Sequence, residues 1–391
     1  MQRPYGFGAR MLWMFAVVIG GLFVSITYWS CSPSNSPATS PNGSFQPSGI
    51  ITPGGNAPDW SHQPAFVQQA IGVQNRHSND MMRIAGVVGT GVGIDDQNPN
   101  IAVIEIFTEH EGIAGIPSTI EGMHTRIENV GRVTIFKGYT GKYRSRIPAG
   151  VSVGDDDECA AGSIGAMVTS SGMASSPQSG AITTYGHNSN YSWTSGTRVY
   201  MLSCNHVFAN EDAATAADAM DQPGRYDNSC NTGNNVGTLY AWNYISSTAN
   251  NLYDAALAEC NPSISGGWTG YMSPQDTYAP ASGSSAVNPT VGMAVEKVGR
   301  TTGLTTGSIA GINVTITVSY TNYTATFVHQ IYVRGSFIKA GDSGSMMVTN
   351  NSNHYPVGLN FAGGSNSSFA NPIKPIEQDF GLSFVSGSFG N

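Results

Sequence analysis

The sequence predicts a mainly β protein preceded by a small α+β domain. Only 11% of the 391 residues are charged, while glycine, serine, threonine and asparagine are abundant. This composition is typical of β-rich chains with many turns. From Ala161 onwards, short apolar runs alternate with turn residues, which is the pattern of successive strands. A chain of this length has room for two or three compact units.

The N-terminus predicts export from the cytoplasm. Arg3 and Arg10 precede an uncharged and almost wholly apolar stretch, residues 11–28, as in export signals. The stretch is long for a cleaved signal and just long enough to span a membrane. Residues 1–31 are therefore interpreted as a cleaved signal, a membrane anchor, or a signal for lipid attachment at Cys31. Each alternative places the rest of the protein outside the cytoplasm.

Two further segments precede the main β region. Residues 32–60 are rich in proline, serine, asparagine and glycine, which predicts a flexible linker. Residues 61–150 combine a loosely helical pattern at 63–83 with a β-branched run at 101–107, which predicts the small α+β domain. Basic residues near the end of this segment invite cleavage in an exposed loop. The domain is thus either a propeptide or a permanent accessory domain.

The cysteines predict disulfides. Apart from Cys31, the chain contains Cys159, Cys204, Cys230 and Cys260. Four cysteines in an exported protein predict two disulfides, with three alternative pairings. A zinc site is not favoured, because no C-x-x-C spacing occurs.

The charge of the chain argues against nucleic acid as a partner and includes one acidic run. The net charge of −8 gives no basic surface, so nucleic acid is not an expected partner. The run Asp155-Asp156-Asp157-Glu158 lacks the spacing of a calcium loop. It is interpreted as a solvated turn, and no metal is expected.

Three segments carry candidate catalytic residues. The turn Gly341-Asp342-Ser343-Gly344-Ser345 places a serine between two glycines, and apolar runs lie on both sides. An apolar run over 200–208 leads into a small polar turn with His206. Asp254 is a single acid among apolar and small residues, where a carboxylate must be hydrogen-bonded. A serine becomes a nucleophile when a base takes its proton and nearby donors stabilise the oxyanion.

In this order, His206, Asp254 and Ser343 resemble the catalytic residues of the chymotrypsin/trypsin-like serine peptidases. The stretch 297–305, Lys-Val-Gly-Arg-Thr-Thr-Gly-Leu-Thr, is also similar to bacterial members. The resemblance covers about residues 155–391. It implies a trypsin-like double six-stranded β-barrel, and the two barrels would span about 155–262 and 288–391.

The resemblance also implies the role of each residue. Ser343 would attack a carbonyl carbon, His206 would act as general base, and Asp254 would orient the imidazole ring. The backbone N–H groups of Gly341 and Ser343 would form the oxyanion hole. Activity should fall as His206 becomes protonated at low pH. No cofactor is expected.

Specificity and activation are predicted from the same resemblance. The primary pocket would be lined by Phe337 and by the strand Phe361-Ala362-Gly363. No acid occupies the first position, so small or apolar residues are expected before the scissile bond. Cleavage after Arg146 would expose a new N-terminus followed by Pro148, which departs from the family pattern. We therefore expect Asp342 to be satisfied within the chain.

The leading interpretation is an exported serine endopeptidase that acts on protein or peptide substrates. A catalytically silent trypsin-like fold that serves as a surface binding module is the first alternative. An esterase that uses the same site is the second, because acyl transfer to water does not require an amide.

Overall fold

Two β-sheets contain most of the strands among the described residues, and many of these strands are apolar, β-branched runs. The computed structural model describes residues 58–131, 133–135, 140–143, 146–172, 182–184, 198–215, 218–272 and 277–389. These residues belong to a single compact unit. The predicted export, anchor or lipidation segment and most of the predicted linker lie outside them.

Three α-helices occur among the described residues. They are α1 (Ala65–Met82), α2 (Asn205–Phe208) and α3 (Ile373–Asp379), and short 3-10 helices span Asn210–Asp212 and Arg225–Asn228. The helix expected at 63–83 is confirmed, and it buries an apolar face that includes Val67 and Ile71. In the described part of the chain, no helix combines the length and apolar character that a membrane span requires.

The strands are numbered in chain order. The first twelve are β1 (Val87–Ile94), β2 (Ala102–Thr108), β3 (Thr119–Ile120), β4 (Met123–Asn129), β5 (Thr134–Ile135), β6 (Ile147–Ala149), β7 (Ser152–Asp155), β8 (Gly162–Ser163), β9 (Ala166–Ser170), β10 (Ile182–Thr184), β11 (Tyr200–Ser203) and β12 (Ala219–Gln222). The remainder are β13 (Asn234–Asn243), β14 (Ala256–Cys260), β15 (Trp268–Met272), β16 (Ala294–Gly299), β17 (Gly303–Ser319), β18 (Thr324–Arg334), β19 (Met346–Thr349), β20 (Pro356–Gly364), β21 (Ser367–Pro372), β22 (Leu382–Phe384) and β23 (Ser388–Phe389).

The second half of the chain closes a ring of six strands. The order is β16-β19-β20-β21-β18-β17, and β16 also pairs with β17 to complete the circle. A closed ring leaves no free edge within it. The ring lies within the range 288–391 expected for a second barrel, and the bounds of that barrel stay a prediction.

The first barrel is an open half-barrel among the described residues. Its strands run β22-β9-β11-β14-β13-β12-β7-β8, and β10 pairs with β13. The C-terminal strand β22 pairs with β9, so the first sheet recruits a strand from far beyond its predicted limit of residue 262. A smaller third sheet contains β23, β15 and β6. The mainly β fold class is confirmed, with one closed six-stranded ring and one open half-barrel.

The N-terminal segment extends the ring. β1 pairs with β17, and the sheet continues through β2 and β4 to β3. One hydrophobic cluster joins Val67 and Ile71 of α1 to Val295 and Ile331 of the ring. The α+β segment predicted at 61–150 therefore shares a sheet and a core with the second barrel. Its status as a propeptide or accessory domain stays a prediction.

The cysteine prediction is half wrong. Cys159 and Cys230 form a disulfide, but Cys204 and Cys260 are buried free thiols. Strands β11 and β14 pair antiparallel with Ser203 opposite Ala256. Cys204, just after β11, and Cys260, the last residue of β14, therefore lie at opposite ends of the pair. Five residues of strand separate them by about 17 Å, far beyond disulfide reach.

The acidic run differs from the solvated turn expected. Asp155 is only 2% exposed. One carboxylate oxygen accepts from the N–H of Asp157 at 2.8 Å, whereas the other has no hydrogen-bond partner among the described residues. Burial, reinforced by the nearby carboxylate of Asp218, raises the pKa of Asp155 to about 7.

Candidate active site

His206 is held by two hydrogen bonds to one carboxylate. The buried strand β11 ends at Ser203, and the single turn of α2 then carries His206 into the interior. Its Nδ1 lies 2.6 Å from Oδ2 of Asp254, and its backbone N–H donates to Oδ1 at 3.2 Å. With the proton on Nδ1, the neutral ring presents Nε2 as its acceptor. This is the tautomer that a general base requires.

Asp254 is fully buried just before β14. The hydroxyl of Tyr320 donates to its Oδ2 at 2.8 Å, and Asn371 holds its backbone on both sides. Burial beside this carboxylate raises the pKa of Tyr320 well above its usual value, so the hydroxyl stays a donor. Sequence reasoning missed Tyr320, because a tyrosine at the end of a strand carries no signal for a partner so distant in sequence.

The turn that carries Ser343 requires both of its glycines. Gly341 and Gly344 have φ values of +88° and +87°, in the left-handed region that favours glycine. A side chain at Gly344 would collide with the hydroxyl of Ser203 and the carbonyl of Ser163. The segments that carry Ser203 and Ser163 therefore pack directly against the serine turn.

The first sheet also fixes the backbone of the turn. The N–H of Ser163, in β8, donates to the carbonyl of Ser343 at 2.8 Å. The Ser163 hydroxyl donates to the carbonyl of Gly341 at 2.9 Å. The position of the serine is therefore set by both halves of the molecule. The roles of the Gly341 and Ser343 N–H groups in an oxyanion hole stay predictions.

Asp342 has the internal partners that the sequence led us to expect. Its carboxylate accepts from the N–H groups of Thr301 (2.9 Å), Thr302 (3.1 Å) and Lys339 (2.9 Å). The ammonium of Lys297 lies 3.3 Å away, with both side chains fully buried. Burial lowers the pKa of Lys297, and the Asp342 carboxylate opposes that effect. The conformation of the turn therefore does not depend on a newly cleaved N-terminus.

The hydrogen bond between serine and histidine is not formed in this structure. The Ser343 hydroxyl donates to the carbonyl of Phe361 at 3.3 Å. Nε2 of His206 is buried and has no hydrogen-bond partner among the described residues. The structure thus shows a direct hydrogen bond between His206 and Asp254. The Ser343 hydroxyl is bonded to the carbonyl of Phe361 and not to His206.

Residues close to His206 and to Ser343 in sequence nevertheless donate hydrogen bonds to the same carbonyl. The carbonyl of Asn360 accepts from the N–H of Gly344 at 2.8 Å and from Sγ of Cys204 at 3.3 Å. Gly344 is the next residue after the serine, and Cys204 lies two residues before the histidine. A hydrogen bond between Ser343 and His206, which stays a prediction, would require the Ser343 hydroxyl to leave the Phe361 carbonyl, and serine side chains do move between staggered rotamers. Apo active sites often show such bonds long or misaligned.

The predicted pocket residues are buried but separated. Phe361 packs on Phe327 with ring centroids 4.9 Å apart, in the hydrophobic cluster that also contains Ala362. Phe337 belongs to the other cluster, where Thr305 donates to its carbonyl. Gly363 lies in β20 beside Ala362 and pairs with Thr134 of β5. The contribution of these residues to a substrate pocket stays a prediction.

Three side chains of the site could in principle bind a metal ion, and their chemistry shows how well they would do so. Donor atoms of Cys204, His206 and Asp254 lie within 4.8 Å of one another. Cysteine binds metals as the thiolate, whereas burial and the Asp254 carboxylate raise the pKa of Cys204 well above its usual value. Nδ1 of His206 is engaged with Asp254. The set fits an acid–base pair better than a metal centre.

No family model matches the sequence, and no match is found among the curated proteins. Solved structures do match. Thermobifida fusca Protease A has 17% identity and a TM-score of 0.38, with 62% of this chain and 100% of that chain covered. Nocardiopsis Protease has 16% identity and a TM-score of 0.40, with the same coverage. Cellulomonas bogoriensis chymotrypsin has 16% identity and a TM-score of 0.35, covering 62% and 99%.

The solved structures that this chain resembles are bacterial chymotrypsin-like serine proteases. This is the class that the three sequence motifs predicted. At these identities and TM-scores the similarity assigns no function to this chain, and the role of each residue is argued from the geometry of the site itself.

Proposed function

We propose that the protein is a serine endopeptidase that cleaves polypeptides through an acyl-enzyme. The observation that carries the proposal is the buried hydrogen bond between His206 Nδ1 and Asp254 Oδ2 at 2.6 Å, which directs Nε2 away from the carboxylate as an acceptor. The Ser343 turn lies against the same loop. A neutral imidazole whose Nε2 takes the proton of a serine is the arrangement for nucleophilic catalysis, and here it would form once Ser343 turns from Phe361 to His206.

The reaction would proceed in two halves. Ser343 Oγ attacks the carbonyl carbon of the substrate, and its proton passes to Nε2 of His206. The C–N bond then breaks, Nε2 gives its proton to the leaving amine, and an ester remains on Oγ. Water next attacks the ester and passes a proton to Nε2. The C–Oγ bond breaks, the proton returns to Oγ, and the new carboxylic acid leaves.

Substrate class and location belong to the same proposal. The strand of Phe361, Ala362 and Gly363 would pair with an extended peptide, as strand edges do in other peptide complexes. Small or apolar residues before the scissile bond are the expected preference. An exported location is supported by the Cys159–Cys230 disulfide, since disulfides persist in oxidising compartments.

Covalent labelling tests the proposal. A fluorophosphonate probe should modify the full-length protein at Ser343, as located by peptide mass mapping. Ser343→Ala should remain unmodified, whereas Ser345→Ala, two residues away, serves as the matched control and should be labelled. A folded protein that is labelled neither as wild type nor in the variants Val133→Asp and Thr134→Pro would instead support the silent binding module. Turnover of esters without turnover of peptides would indicate an esterase.

A further inference from the structure

The strand edge expected to bind peptide substrates is already occupied by a segment of the same chain. β5 pairs antiparallel with β20, and Ile135 lies opposite Ala362. On the other side of β5, the N–H of Ser319 at the end of β17 donates to the carbonyl of Val133 at 3.1 Å. β5 therefore lies between two strands of the ring and is bonded to both.

The residues that lead into β5 are buried in the core. Val130 and Val133 are each 1% exposed and belong to the main hydrophobic cluster. The carbonyl of Val130 fills the position that a side chain at Gly364 would take. Burial of each valine contributes about 2 kcal/mol. We call Val130, Gly131 and residues 133–135 the cleft segment.

The register brings the cleft segment to the nucleophile. The Ser343 hydroxyl donates to the carbonyl of Phe361, and Phe361 directly precedes Ala362, the partner of Ile135. Opposite residues in an antiparallel pair lie about 5 Å apart. The cleft segment thus pairs with the residue next to the one whose carbonyl accepts the hydrogen bond of Ser343. His206 and Ser343 are 1% and 0% exposed, so both are closed to solvent in this state.

We propose that the cleft segment is an internal peptide ligand that keeps the active site latent until it is displaced. The catalytic part of this inference rests on the proposed function, but the occupation of the strand edge does not. A ligand in the same chain has an effective concentration in the millimolar range or above. External peptides therefore bind only after the segment leaves. The edge pairs with the extended backbone of this segment, Ile135 opposite Ala362 and Thr134 opposite Gly363.

Two substitutions weaken the cleft segment by different means. Val133→Asp places a charge in an apolar cluster, and Thr134→Pro places a proline in a strand that is bonded on both sides. Val133→Thr preserves the shape and is the matched control. Labelling of Ser343 by the fluorophosphonate should be at least about tenfold faster in Val133→Asp and Thr134→Pro than in wild type and control. Equal rates in all four folded proteins would overturn the proposal.

A second measurement is independent of catalysis. A fluorescent peptide with the sequence of residues 130–135, Val-Gly-Arg-Val-Thr-Ile, is titrated into the full-length protein that carries Thr134→Pro and Ser343→Ala. Saturable binding that Ser343→Ala alone does not show is the expected result, and absence of binding would refute the internal ligand. If this peptide binds but Ser343 is never labelled in any variant, the hydrolytic function fails while the occupied edge stands.

Discussion

At the scale of single residues, Asp254 organises the site. Its buried carboxylate accepts hydrogen bonds from the imidazole and the backbone N–H of His206, and from the hydroxyl of Tyr320. These donors replace the water that a carboxylate loses on burial. The ring of His206 is thereby fixed in orientation and tautomer. Tyr320 acts on the proposed reaction through Asp254, as a positioning residue.

Tyr320→Phe tests this positioning role. Removing the hydroxyl takes away one donor to Asp254, so labelling of Ser343 should slow about tenfold. Without this donor, the Asp254 carboxylate keeps more of its negative charge beside His206 and stabilises the imidazolium more strongly. The acid limb of the pH–rate profile should therefore move to higher pH. Tyr323→Phe is the control, because the Tyr323 hydroxyl has no hydrogen-bond partner among the described residues. An unchanged profile in Tyr320→Phe would contradict the role.

Asp155 makes stability depend on pH. The folded protein keeps a proton on this carboxyl up to about pH 7, whereas an unfolded aspartate releases it near pH 4. Its contribution to the free energy of unfolding is therefore full below about pH 4 and is lost as pH rises to 7. Asp155→Asn should stabilise the protein by about 1–2 kcal/mol at pH 8 and little at pH 4. Urea unfolding at both pH values measures this.

Asp157→Asn is the control for this experiment, since Asp157 lies in the same run and is exposed. A gain of equal size in both variants would point to a general relief of repulsion along the run. Equal gains at pH 4 and pH 8 in Asp155→Asn would contradict the assignment to Asp155.

At the scale of elements, the serine turn is held between two sheets. Ser163 of β8 binds its carbonyls, and Lys297 of β16 reaches Asp342 from within the ring. The turn is thus rigid before any substrate arrives. Such preorganisation is what stabilisation of a developing oxyanion requires.

Lys297→Met tests the support from β16. The substitution leaves the Asp342 carboxylate buried without its ammonium partner, which should lower the free energy of unfolding by about 3 kcal/mol. Labelling of Ser343 should also slow. Adding Asp342→Asn should restore part of the stability, because no buried charge then remains at this pair. Lys339→Met, at an exposed lysine, should change little. An unchanged free energy of unfolding in Lys297→Met would show that Lys297 does not support the serine turn.

The sequence was informative wherever chemistry and local pattern coincide. His206, Asp254 and Ser343 each follow or precede an apolar run, so their types and places could be predicted together. Tyr320, Lys297 and β5 could not be assigned, because their partners are set by how distant strands pair in the ring. The prediction of a second disulfide was wrong for the same reason, because the register of β11 and β14 decides where Cys204 and Cys260 lie.

At the scale of the whole molecule, the N-terminal segment and the ring form one structure. β1 pairs with β17, and α1 packs into the cluster that also holds Val295 and Ile331 of the ring. The composition of 61–150 predicted a separate α+β segment, but local pattern does not report which sheet a strand joins. The shared sheet gives this segment a structural role alongside any role in maturation.

Residues 58–389 should therefore unfold in one cooperative transition. Elements that share a sheet and a core lose their packing together. Calorimetry of the full chain should give a single transition, and a fragment of residues 155–391 should be markedly less stable. Two separate transitions, one of them matching that of the fragment, would contradict this expectation.

Ser343 and His206 are proposed to act as a pair. A crystal structure of full-length Thr134→Pro, in which the cleft segment is weakened, would show directly whether their side chains meet. In that structure we expect Ser343 Oγ to have left the Phe361 carbonyl and to lie within about 3.2 Å of His206 Nε2. A well-ordered site in which the hydroxyl remains on Phe361 and Nε2 bonds elsewhere would contradict it.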